Sequence, residues 1–161
     1  MLYNSVDPQT HELLFQFPTH TEEEVRVKLA QNYSAYQEWH QVSLPDRAKL
    51  LHQIADHMEE NIEVFSSMIQ NEVGKLPHEA IAEVQKSIET TRYYCDNAED
   101  FLRPEKIQTP QNNVELHYRS QGALLAIMPW NFPLWQVFRF ASANLLLGNS
   151  ILLKHSPEVC G

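Results

Sequence analysis

An α/β chain is what this sequence predicts, with four helices placed ahead of the first strands of a parallel sheet. Two observations predict it. Between Thr21 and Phe101, apolar residues recur at helical spacing in segments separated by cap and turn residues. From Gly122 onward, two short apolar runs, "ALLAIM" and "SILLK", flank a helical stretch, which is the pattern of a β-α-β unit.

The elements follow in order. "YNSVDPQTHELLFQFP" carries turn chemistry at Asp7-Pro8 and a short alternating run after it, predicting two short strands joined by a turn. Thr21 followed by three glutamates opens the first helix, with Thr21 as cap and Glu24 completing a capping box. Val25, Leu29, Tyr33 and Tyr36 form its apolar stripe. The second helix starts near Ser43-Leu44-Pro45-Asp46, and Leu50, Leu51, Ile54 and Met58 are expected to line it. A third covers about 61–73 and stops at Gly74. The fourth covers about 77–101, with Ile81, Val84, Ile88 and Tyr94 or Cys95 facing inward. The segment at about 104–120 reads as a polar-edged, two-stranded β element around a Pro-Gln-Asn-Asn turn. The crossover helix spans about 134–147 and ends at Gly148-Asn149.

Composition narrows the function classes. The 161 residues suit one ordinary domain or part of a larger one. The chain is 43% hydrophobic and 20% charged, with 21 acidic against 12 basic residues and a formal charge of −9. That balance argues against a nucleic-acid partner, which calls for a basic patch. Cys95 and Cys160 form no disulfide framework or zinc spacing, and a reducing cytoplasm is the simplest setting. The histidines show no ligand spacing, so no metal is expected. The N-terminus has neither a basic start nor an apolar core of the secretory kind. Pro129, Asn131, Pro133 and Arg139 interrupt the longest apolar region, so no membrane span is expected.

The chemistry concentrates in "AIMPWNFPLWQ". In open α/β sheets, ligands bind beyond the carboxyl ends of the strands, and Pro129 to Pro133 occupies that place. Asn131 offers neutral N–H donors suited to an oxyanion developing at a carbonyl; as a favoured turn residue, it equally suits a purely structural role. No G-x-G-x-x-G motif is present. Lys154 ends the second apolar run about 20 residues past the loop, where dinucleotide folds place the residue that reads the ribose. The alternative is a solvated strand-end lysine. Arg139 lies among Val137, Phe138, Phe140 and Ala141, where an unpaired charge would be costly to bury. Trp135 shares its helix face.

"NEVGKLPHEAIAEV", "GALLAIMPWNFPLWQ" and "GNSILLKHSPE" together resemble the aldehyde dehydrogenase superfamily over nearly the whole chain. The "MPWNFPLWQV" and "LLKH" runs are most similar to its bacterial succinate-semialdehyde dehydrogenase branch. The resemblance implies N-terminal helices plus the start of a Rossmann-like parallel sheet of the aldehyde dehydrogenase fold. Residues 1–161 would be the N-terminal portion of an NAD(P)-binding domain, and 104–120 part of its oligomerisation region. It further implies NAD(P)-dependent oxidation of a small-molecule aldehyde, succinate semialdehyde to succinate, by a cytoplasmic homo-oligomer.

Asn131 would then be the oxyanion-hole amide. Ile127, Met128, Pro129 and Trp130 would lie along the cofactor, with Lys154, His155, Ser156 and Pro157 at its adenosine ribose. Arg139, with Trp135, would read the distal carboxylate of the substrate; the alternative is a helix arginine paired with a structural acid or reaching solvent. In NAD-preferring relatives the third residue after the lysine is glutamate. Here it is Pro157, with Glu158 displaced by one, which favours NADP over NAD.

Glu79 and Glu83 read as surface or interhelix contacts. Cys95 reads as core, and Cys160 as a thiol at a helix start with a lowered pKa. Neither matches the nucleophilic cysteine of the family, which, like the general-base glutamate, lies later in the chain. The chain is therefore expected to be one piece of a longer enzyme and inactive alone; the alternative is a non-catalytic structural or interaction module.

Overall fold

The computed structural model describes residues 2–109 and 112–161. At the N-terminus, β1 (Leu2–Val6) pairs antiparallel with β2 (Leu13–Pro18). Asp7 makes the turn: its Oδ1 accepts from the N–H groups of Gln9 and Thr10 at 2.7 and 3.0 Å. Those bonds hold the Asp7 carboxyl below its ordinary value.

Four helices follow: α1 (Glu22–Trp39), α2 (Leu44–Glu60), α3 (Ile62–Val73) and α4 (Pro77–Leu102). Their ends obey the local chemistry. Thr21 and Glu24 form the reciprocal capping box, with Thr21 N–H donating to Glu24 at 2.7 Å and Glu24 N–H to Thr21 at 3.2 Å. Ser43 caps α2, and Pro45 and Pro77 stand in first turns. Gly74 closes α3 with a left-handed φ of 77°, and an added Cβ there would lie 2.9 Å from Pro8 Cγ. Glycine is required on both counts.

Helices α2, α3 and α4 share one core of Ala55, Met58, Ile69, Ala80, Val84 and Ile88, with Phe138 packed against it. Leu51, Cys95, Ala98 and Leu146 form a second. Two apolar stripes differ from expectation. On α2 the buried face runs through Arg47, Leu51, Ala55 and Met58, while Leu50 and Ile54 are exposed. The guanidinium of Arg47 shifts that face, because it turns inward to donate to the Leu146 and Val42 carbonyls. On α1, Val25, Leu29 and Tyr33 are exposed. That helix instead docks through Asn32, Tyr36 and Trp39. Its Trp39 indole donates to the Leu145 carbonyl at 2.9 Å, and the Asn32 carbonyl accepts from Ser150 at 2.8 Å.

β3 (Glu105–Gln108) and β4 (Asn113–Leu116) pair antiparallel as a hairpin, and every residue of the two strands is exposed. Pro110 and Gln111 of the expected turn lie outside the described residues. Beyond it, β5 (Ala123–Ile127), α5 (Trp135–Leu147) and β6 (Ser150–Lys154) form the β-α-β unit, with β5 and β6 parallel. Gly148 ends α5 at a φ of 96°. Asn149, 1% exposed, bonds the start of β5, its Oδ1 accepting from the Gln121 and Gly122 N–H groups at 2.7 and 3.0 Å. Small residues let α4 and α5 pack closely, with Ser142 donating to Thr91 and Thr91 to the Ser87 carbonyl. On β5, Ala126 is buried while Leu125 and Ile127, on the opposite face, stay open. Among the described residues no helix is long and apolar enough to cross a membrane.

Candidate functional site

The parallel register fixes the geometry of the site. Ile127 lies beside Lys154, and the Met128 N–H donates to the Lys154 carbonyl at 3.1 Å. The ladder thus places 127 and 128 beside 154 at the carboxyl ends of both strands. Ile127 and Trp130 are largely exposed there, at 70% and 53%. Lys154 is exposed, with no ion pair among the described residues. Ser156 differs from the other members of the group: it is buried, and its hydroxyl donates to Glu158. That bond, ahead of the Glu158 backbone N–H and the charge of Lys154, holds the Glu158 carboxyl below its ordinary value.

Asn131 is exposed, and its side chain makes no hydrogen bond among the described residues. A turn-stabilising asparagine bonds its own backbone; this one leaves its amide available. The turn is held elsewhere. Glu83, expected at the surface or between helices, is 3% exposed, because its carboxylate is spent on the start of α5. One oxygen accepts from the N–H groups of Leu134 and Trp135 at 3.0 and 3.1 Å, and the other meets Lys75 Nζ at 2.5 Å. The Lys75 ammonium also stands 3.6 Å from the centre of the Phe132 ring. Glu79, by contrast, serves α4 alone, accepting from the Leu76 N–H at 3.3 Å.

Arg139 is exposed rather than buried, since the crossover helix turns that face outward. Its guanidinium lies 5.2 Å from the Trp135 ring, and Lys86 Nζ lies 4.0 Å from the same ring. Phe132 meets Trp135 edge-on at 5.7 Å. Neither cation has an ion pair among the described residues, so the structural-acid reading of Arg139 finds no partner here. The indole Nε1 of Trp135 is buried without an acceptor among those residues.

Both cysteine thiols are raised above their ordinary value. Burial pushes the Cys95 thiol up to about 11, with Asp96 adding to the effect. Cys160 is corrected as well: no helix forms at 157–161, and burial followed by Glu72 raises its pKa. Sequence reasoning missed Lys75 and Lys86, and for Glu83 it named an interhelix contact without its partners. A signal existed for Glu83, which falls on the buried stripe of α4 beside Ala80, Val84 and Ser87. A carboxylate there calls for partners. Nothing in local periodicity marks the two lysines.

An open β-α-β unit, its loop poised at the carboxyl ends of two parallel strands, is the opening of a Rossmann-like α/β sheet. The sequence model of the aldehyde dehydrogenase family matches residues 2–161, and the chain belongs to that family. It is 38% identical over 158 residues to the succinate-semialdehyde dehydrogenase [NADP(+)] of Deinococcus radiodurans, covering 98% of this chain and 33% of that protein. A probable succinate-semialdehyde dehydrogenase [NADP(+)] of Synechocystis is 36% identical, covering 99% and 35%. The crystal structure of succinic semialdehyde dehydrogenase from Streptococcus pyogenes, in complex with NADP+, superposes with a TM-score of 0.93 at 30% identity, over 98% of this chain and 35% of that one. The chain thus spans about a third of the length of these relatives.

Proposed function

We propose that this chain is the N-terminal portion of an NAD(P)-binding domain, in an enzyme that oxidises succinate semialdehyde to succinate. The observation that carries the reading is the exposed, unbonded Asn131 amide at the carboxyl end of β5. An amide donor bears no charge of its own and needs no proton transfer, so it stabilises negative charge only as that charge develops on the substrate oxygen. Placed on a turn anchored at Phe132, Leu134 and Trp135, it is oriented before the substrate arrives.

The residues present fit a dinucleotide. Ile127 and Trp130 offer open apolar surface, and the Lys154 ammonium is uncommitted by any ion pair among the described residues. Pro157 leaves no carboxylate at the third position after Lys154, and Glu158 is engaged by Ser156. That combination favours a 2′-phosphate, hence NADP over NAD. The cofactor, when bound, supplies the hydride acceptor. Ile127, Met128, Pro129 and Trp130 would line it, and Lys154, His155 and Pro157 would border its ribose. Ser156 would support that border by holding Glu158.

Arg139 gives specificity. Its exposed guanidinium, backed by Trp135, is free to take a carboxylate bidentately. The succinate-semialdehyde enzymes among the relatives support that substrate. The exposed β3–β4 hairpin suits a subunit contact in a homo-oligomer. The absence of a spanning helix among the described residues accords with a cytoplasmic setting. The test is an assay of the complete protein with succinate semialdehyde and with butanal, supplying NADP or NAD. Reduction of NADP with preference for succinate semialdehyde is expected; failure to oxidise any aldehyde would refute the proposal.

A further inference from the structure

The Lys75–Glu83 pair occupies an unusual position for a structural ion pair. Helix α5 begins at Trp135 with no side-chain cap of its own, because Leu134 precedes it. Its first N–H groups would go unpaired if nothing reached them. The Glu83 carboxylate reaches them from α4, half a hundred residues earlier in the chain, and places a negative charge at the positive end of α5. Lys75, between α3 and α4, neutralises that carboxylate at 2.5 Å and lays its ammonium over Phe132 at 3.6 Å. The pair therefore grips the turn on its C-terminal side: Phe132 follows Asn131 directly, and Leu134 and Trp135 stand just beyond. Pro129 and Pro133 restrict φ within the same stretch. The backbone is thereby held immediately after Asn131.

Burial of such a pair is weak evidence of a stabilising purpose. Desolvating two charges offsets much of their attraction, and apolar replacements often fold as well. What the pair provides here that an apolar contact does not is direction: two N–H groups, one ring and one carboxylate with a defined geometry. We propose that Glu83 and Lys75 are positioning residues that fix the orientation of the Asn131 amide. This rests on the oxyanion role proposed for Asn131, and the residues act through that amide, without touching substrate.

The experiment is a double-substitution cycle in the complete enzyme, read by kinetics and by hydrogen exchange. Glu83→Gln keeps an acceptor for the two N–H groups but loses the charge that holds Lys75; Lys75→Met removes the other partner; Lys75→Arg is the conservative variant. Either of the first two should lower kcat by about 10–10²-fold, the scale of a misplaced catalytic group. KM for the cofactor should stay unchanged, and Lys75→Arg should restore most of the rate. Amide exchange at Leu134 and Trp135 should quicken by about fivefold, the scale of a charge-assisted hydrogen bond weakened to a neutral one, while remote segments do not change.

In an Asn131→Ala background, Glu83→Gln should lower kcat no further, since residues acting through one group are not additive. Independent, multiplying losses would overturn the proposal, as would unchanged exchange at Leu134 and Trp135. Should Asn131→Ala itself leave kcat intact, the oxyanion role fails and the positioning role fails with it; the exchange data still report whether the pair holds the turn. Should Lys75→Met fail to fold, the Glu83→Gln and Lys75→Arg variants decide the matter.

Discussion

Solubility of the isolated 161-residue chain should depend on one face of its β5–β6 sheet. On β5, Leu125 and Ile127 are 60% and 70% exposed, side by side on the uncovered face. Burying one such side chain fully is worth about 1.5–3 kcal/mol, so covering what both leave open would release roughly 2–4 kcal/mol per chain. At about 1.4 kcal/mol per tenfold, that corresponds to an association constant raised by roughly 30- to 700-fold. The perturbation is Leu125→Thr with Ile127→Thr, which puts β-branched residues at both strand positions while making the face polar. Val64→Thr on α3 is the control, because Val64 is 58% exposed but lies outside this sheet. Sedimentation velocity and a hydrophobic fluorescent dye are the assays. The unsubstituted chain should self-associate and bind dye; the double variant should do both far less, and Val64→Thr should behave like the parent. A parent chain that is monodisperse and dye-free at tens of micromolar would refute the reasoning.

The remaining expectations concern catalysis and pH. The isolated chain should oxidise no aldehyde and should react slowly with thiol reagents at neutral pH, because burial raises both Cys95 and Cys160; steady NADPH production by the pure chain would contradict this. In the complete enzyme, Asn131→Ala should lower kcat by about 10²–10³-fold with little change in cofactor affinity, as measured by steady-state kinetics and cofactor titration. Arg139→Ala should raise KM for succinate semialdehyde by about tenfold or more, the scale of a lost charge-assisted hydrogen bond, while sparing butanal; equal effects on both substrates would make the arginine structural. Thermal melts should report acid lability. Hydrogen bonds lower the folded pKa of Asp7, of Glu24 through Thr21, of Glu59 through Arg92 and of Glu158 through Ser156. Their contribution is present above the ordinary carboxylate range of about 4 and is lost as pH falls through the lowered values. Glu24→Gln should lower the melting temperature on the neutral plateau and flatten the acid fall.

What the sequence determined alone is the chemistry that a few neighbouring residues complete among themselves. Thr21 and Glu24 cap α1, Gly74 and Gly148 end helices in left-handed geometry, and "SILLK" becomes β6 over the same residues. The loop "PWNFP" lies at the carboxyl end of β5, as the order of strand, turn and helix requires.

Only the tertiary structure decided which faces are covered, because periodicity specifies a stripe and not the surface that meets it. Val25, Leu29 and Tyr33 keep helical spacing and still face outward, and Arg139 is exposed for the same reason. The electrostatic environment of Cys160 depended on Glu72 and on burial, neither of which its neighbours in sequence reveal. The destination of Glu83 is the clearest case. Its place on the α4 stripe demanded partners, but those partners are the N–H groups of Leu134 and Trp135, which α4 meets only once the chain has folded back across it.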